Sequence, residues 1–133
     1  MRSLQTLHNK TLRLQYGLDR STSTETLMAA TNSLSVHQLA AKCCLVQVYN
    51  IYKTKKPAYH YNRLFPDANV SLRSTSNIQT RVEFSKALCK GGFFFQSSRL
   101  WSSLPLNIKT SSTVQAFKSK IKKWVQQNIS LKL

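Results

Sequence analysis

Apolar residues recur at helical spacing in several stretches of this chain. The plainest is the last. In SSTVQAFKSKIKKWVQQNI, Val114, Phe117, Ile121, Trp124, Val125 and Ile129 share one face, while Lys118, Lys120, Lys122 and Lys123 lie on or beside the other. The pattern predicts an amphipathic helix over 113–128, capped by Ser111 or Ser112. Residues 36–54 are apolar around most of the girth. Leu39, Cys43, Val46 and Asn50 form one line, and Ala40, Cys44, Val48, Ile51 and Tyr52 fill adjacent ones. This predicts a buried central helix with Ser35 as its N-cap. Lys53, Lys55 and Lys56 stand at the negative end of its dipole, and Pro57 stops it. Residues 3–16 place Leu4, Leu7 and Thr11 on one stripe, with Leu12 and Leu14 nearby and Gly17 as the terminator. Thr22 and Glu25 have capping-box spacing ahead of a brief helix over 24–31. AYHYNRLF adds one further turn before Pro66.

The middle of the chain reads differently. NVSLRSTSN is Ser-rich, IQTRVEF alternates roughly, and Gly91 and Gly92 precede three Phe residues. The expectation is an irregular or two-stranded patch near 78–96. After it, Leu100, Trp101 and Leu104 cluster around Pro105, which forbids a continuous helix. They read as an apolar plug that anchors the middle to the core, although a Trp there also suits base stacking. The expected architecture is mostly α, a small helical bundle around the 36–54 helix. It forms a single domain with helices at 1–66, an irregular segment at 67–110 and a basic helix at 111–133. Leu39, Cys43, Val46, Leu100, Trp101, Leu104, Phe117, Ile121 and Trp124 are the expected core.

Charge changes the picture most. Twenty Lys and Arg oppose four acids, a formal net charge of +16 with an isoelectric point near 10.3. The cations are spread along the whole chain, so self-repulsion is distributed and a polyanionic partner would relieve it. Asp19, Glu25, Asp67 and Glu83 are singletons, too scattered to hold a metal pair for phosphoryl transfer. No nucleotide-binding Gly loop or zinc-protease motif occurs. Cys43, Cys44 and Cys89 form no disulfide framework or zinc set, and fit reduced thiols of an intracellular protein. His8, His37 and His60 are scattered. No cofactor is expected. No apolar run reaches the roughly 20 residues that span a bilayer. The first 35 residues have the basic, hydroxyl-rich composition of a transit peptide, so mitochondrial import stands as an alternative to nucleus or cytoplasm.

The order of these features resembles the C-terminal region of reverse transcriptases from non-LTR retrotransposons, the jockey-like and related long interspersed elements. Leu100 and Trp101, Leu104 and Pro105, and Ile108 and Lys109 match that family's LWN-x-LP-x-x-I-R/K segment. Phe117 and Lys118 match the FK that follows. Upstream, Leu4, Gln5, Asn9 and Arg13 are similar to its LQ-x-x-QN-x-x-x-R helix. Leu45, Tyr52, Lys53, Pro57 and Tyr59 resemble its L-x-x-x-YK…P-x-Y segment, and Arg73, Ser74 and Asn77 its TRS…N stretch. Departures are Ser102 for the usual Asn, His8 for Gln and Leu72 for Thr, and the missing aromatic around Asn32 and Ser33. The resemblance implies thumb and post-thumb helices without the polymerase palm and its paired aspartates, hence no catalysis by this chain alone. It also implies contact with the RNA or DNA backbone through Lys10, Arg13, Arg73, Arg81, Arg99, Lys118, Lys122 and Lys123. The alternatives are a basic helical module for an acidic protein or an anionic membrane surface, or a functionless relic of a decayed element.

Overall fold

A computed structural model describes residues 2–65 and 92–129. The protein is mostly α. Seven helices are described: α1 (Arg2–Tyr16), α2 (Thr24–Thr31), α3 (Val36–Thr54), α4 (Ala58–Leu64), α5 (Phe93–Ser102), α6 (Leu106–Lys109) and α7 (Val114–Asn128). They fall into two compact units. One gathers the residues up to Ala40 with those from Lys123 onward; the other runs between Ala41 and Lys122. The units cut across the three sequence segments, because α3 and α7 each contribute to both.

Local chemistry sets the helix ends. Gly17 ends α1 with φ +64°, and the Leu18 N–H returns to the Arg13 carbonyl at 2.9 Å. This is a Schellman closure, completed by Leu18 packing on Leu12, Leu27 and Met28. Asn32 does the same for α2 at φ 49°, with Ser33 N–H to Met28 O at 3.1 Å. Lys55, at φ 55°, closes α3 through a 2.8 Å bond to Ile51 O. The α2 cap is Ser23, whose hydroxyl accepts from Thr26 N, one residue beyond the expected Thr22. For α7 the cap is Thr113, which accepts from Ala116 N at 3.2 Å, in place of Ser111 or Ser112. Ser35 caps α3 as expected. It accepts from Gln38 N at 3.2 Å while Gln38 Oε1 accepts from Ser35 N at 3.1 Å, a reciprocal capping box.

In the first unit, the buried face of α1 is polar. Gln5 and Asn9 are buried with Leu12, whereas Leu4, Leu7 and Leu14 are exposed, which reverses the expected stripe. The amides settle the matter by forming a relay. Asn9 Nδ2 donates to Thr24 Oγ1 at 3.0 Å, and Gln5 Nε2 donates to Asn9 Oδ1 at 2.8 Å. Val36 N then donates to Gln5 Oε1 at 2.8 Å. The relay ties α1 to the first residues of α2 and α3, where helix N–H groups lack partners of their own. Gln38 Nε2 reaches Ile129 O at 2.8 Å, and Gln126 Nε2 reaches Asn32 Oδ1 at 3.2 Å.

In the second unit, the inward face of α3 is Ala41, Leu45, Val48, Tyr49 and Ile51, all buried. The expected core line is corrected. Leu39 and Cys43 are exposed, and Val46 is half-buried. That line continues into Gln47, which faces water, while the opposite line carries Tyr49. The Tyr49 ring stacks on Phe117 with centroids 4.1 Å apart and planes 17° apart, and its hydroxyl donates to Ser111 O at 2.6 Å. Burial pushes the Tyr49 phenol above its ordinary pKa. Trp101 is fully buried, tilted against Phe117 and edge-on to Phe65. Leu104, Phe117 and Ile121 are buried as expected; Leu100 and Trp124 are half-buried.

The strand reading is corrected where the residues are described. Phe93, Phe94, Phe95 and Gln96 open α5, with Gln96 N bonded to Gly92 O. The remainder of the 78–96 patch lies outside the described residues. Segment 92–110, expected to be irregular, is helix, interrupted where Pro105 sits extended at φ −68°, ψ 152° before α6. Phe94, Ser97, Trp101 and Leu104 keep a 3-4-3 spacing, a helical signal that the aromatic run obscured.

Two substitutions test this account by chemical denaturation. Trp101→Ala removes the largest fully buried side chain and should cost about 3–5 kcal/mol. Gly17→Ala meets no atom within 4 Å, so its cost is conformational alone, about 1–2 kcal/mol.

Candidate nucleic-acid interface

Of the cations expected at phosphate, Lys10 and Arg13 lie on α1. Arg13 is half-buried, and its Nη2 donates to Thr22 O at 2.7 Å. The two residues, joined by Leu14, Leu18 and Arg20, line a pocket of about 510 Å³. Arg20 was missed in the sequence because it lies off the helix, past the Gly17 turn, where no periodicity marks it. Asp19 interacts with Arg13, and its carboxylate accepts from Ser21 Oγ at 2.8 Å. That bond, backbone N–H groups and the Arg13 charge hold Asp19 below its ordinary pKa.

Lys118, Lys122 and Lys123 lie on α7. The first two are half-buried at i, i+4 spacing, and Lys123 is exposed. Lys120 between them donates to Asn107 O at 3.3 Å. Arg99 is exposed in the last turn of α5. Arg73 and Arg81 lie outside the described residues.

A cluster on α4 and α5 brings cations and aromatics together in a way the sequence did not indicate. The Arg63 guanidinium lies 4.4 Å from the Phe94 ring centre, and its Nη1 donates to Tyr59 Oη at 2.9 Å. His60 packs edge-on to Phe94, as does Phe93. Tyr59 is 64% exposed and Phe93 38% exposed. The i, i+4 spacing of Tyr59 and Arg63 is the signal that could have found half of it.

Lys109, matched to the basic end of the LP-x-x-I-R/K segment, does not reach outward. It is 5% exposed with Nζ 5.8 Å from the Trp101 ring centre. Burial lowers its pKa from the ordinary 10.5.

Among the described residues there is no grouping of three or more metal-ligating side chains, and no helix is long and apolar enough to cross a membrane. Comparisons with protein families, with curated proteins and with solved structures give no match.

The lowered pKa of Lys109 fixes the sign of a test. Below both the folded and unfolded pKa the lysine is charged in both states, and its burial penalty is felt in full. Between them the folded chain releases the proton first, so the wild-type protein gains stability as pH rises toward 10.5. Lys109→Met keeps the stem over Trp101 without the charge. It should therefore melt higher than wild type at neutral pH, by an advantage that shrinks as pH approaches 10.5, followed by paired thermal melts.

Proposed function

We propose that this chain binds nucleic acid through its sugar–phosphate backbone, without reading sequence, as the thumb-side C-terminal region of a non-LTR retrotransposon reverse transcriptase. Its part is to hold RNA or DNA, with catalysis left to other parts of such an enzyme. The observation that carries the proposal is the charge: +16 on 133 residues, with four acids in the whole chain. A surface of that sign attracts a phosphate backbone from solution and exchanges its counterions on binding.

The geometry supports this over the alternative of a membrane surface. A helix that lies on a bilayer must offer its apolar face to lipid. In α7 that face is taken up inside the protein, since Phe117, Ile121 and Val125 are fully buried. The lysines are what the helix offers to a partner. The exposed Tyr59 and Phe93, in the cluster that holds Arg63 and Phe94, would add stacking that an acidic protein would not need.

Filter binding of single-stranded RNA and duplex DNA across a salt series tests the proposal. With about six phosphates engaged, affinity should fall on the order of a thousandfold between 50 and 200 mM salt. Scrambling the sequence should leave it unchanged. A flat salt response, or binding confined to one sequence, would refute it.

A further inference from the structure

The pocket on the first unit has a composition that a mere backbone track does not require. Lys10, Arg13 and Arg20 converge on it, and Leu14 and Leu18 supply the rest of its wall. Asp19 beside Arg13 subtracts one charge, which leaves a net surplus of two. A phosphodiester carries one negative charge. A phosphomonoester carries between about 1.5 and 2 and presents three strong acceptor oxygens. The surplus therefore matches a terminal phosphate better than an internal one. Its volume of about 510 Å³ lies within the roughly 300–1,000 Å³ of small-ligand clefts, room for a whole nucleotide and not only its phosphate.

The cations do not all have another purpose. Arg13 steadies the end of α1, where a cation offsets the negative end of the dipole, and it holds the Thr22 carbonyl. Its Nε is buried with no hydrogen-bond acceptor. Lys10 and Arg20 have no such structural task and are exposed. Leu14, which is 86% exposed, keeps an apolar side chain open to a ligand there.

We propose that the pocket formed by Lys10, Arg13, Arg20, Leu14 and Leu18 is a nucleotide site for the phosphomonoester end of a nucleic-acid strand. The cations take the phosphate, and the two leucines lie against the sugar or base. This rests on the nucleic-acid reading above and assigns it a place where strand ends differ from strand interiors.

The test compares short single strands of one sequence that end in a 5′-phosphate, a 3′-phosphate or hydroxyls only. Wild type is set against the Lys10→Gln, Arg20→Gln double variant, which leaves Arg13 to support the fold. Fluorescence anisotropy at physiological salt should show one of the phosphorylated strands bound roughly tenfold more tightly than the hydroxyl strand by wild type. In the variant that ratio should collapse toward one, while the hydroxyl strand loses only a few-fold and the melting temperature holds. A free nucleoside monophosphate should compete for the phosphorylated strand better than inorganic phosphate does. Equal affinity for all three strands would overturn the site and leave the broader reading intact. Binding of the free nucleotide with no strand binding would overturn the broader reading instead. Displacement by a Glu-rich peptide but not by the nucleotide would also overturn the proposal.

Discussion

The amide relay through Gln5 and Asn9 is the interaction on which the first unit depends. Two buried amides would each cost free energy if left unpaired. Here every link has a named partner, from the Thr24 hydroxyl through Asn9 and Gln5 to the Val36 N–H. Because an amide has a donor end and an acceptor end, the relay has one direction and one register. A slip of α1 by a single residue would break both bonds that leave the helix, to Thr24 and to Val36. That constraint fixes the rotation of α1, and the rotation decides which side chains line the pocket. Lys10 and Leu14 fall on its outer side because Gln5, Asn9 and Leu12 occupy the inner one. On α1, Gln5, His8, Asn9 and Arg13 each bond to a residue outside the helix.

The second unit rests on different physics. Its centre is a set of rings: Tyr49 stacked on Phe117, and Trp101 set among Phe117, Phe65 and Tyr52. Aromatic packing of this kind supplies large apolar area with defined geometry. Tyr49 also links the stack to the chain before α7, since its hydroxyl holds the Ser111 carbonyl. The segment RLWSSLP is thus the end of one helix and the approach to the next, with its Trp turned wholly inward. Base stacking by Trp101 is excluded by its burial, whereas Tyr59 on α4 and Phe93 on α5 are exposed.

Much of this was legible in the chain, and the failures have physical causes. The 24–31 and 36–54 helices stood out because caps, periodicity and breakers agreed. The face of α3 did not, because a helix apolar around most of its girth gives little moment to choose by; the deciding residue, Tyr49, hides a polar tip on an apolar body. The polar core of α1 was illegible because hydrophobic periodicity assumes that amides face water. The opening of α5 was misread because a run of Phe has strand propensity, whereas the longer 3-4-3 spacing through Trp101 governs. In the candidate site, charge pointed to Lys10 and Arg13, but only folding brings Arg20 round the Gly17 turn to meet them. Lys109 shows the converse, a cation matched to the basic end of the motif that packing buries.

Gln38 carries a consequence for the chain's scarcity of acids. Glutamate is a common third residue in a capping box, and its negative charge suits a helix N-terminus. At Gln38 a carboxylate would still accept from Ser35 N, but it has no hydrogen to give to Ile129 O. The side chain must face two ways at once, closing its own helix and fastening the residue just past the end of α7. An amide is the smallest group with both polarities at this reach. At this position, at least, the absence of an acid is a matter of bond direction and would persist in a chain with no need for positive charge.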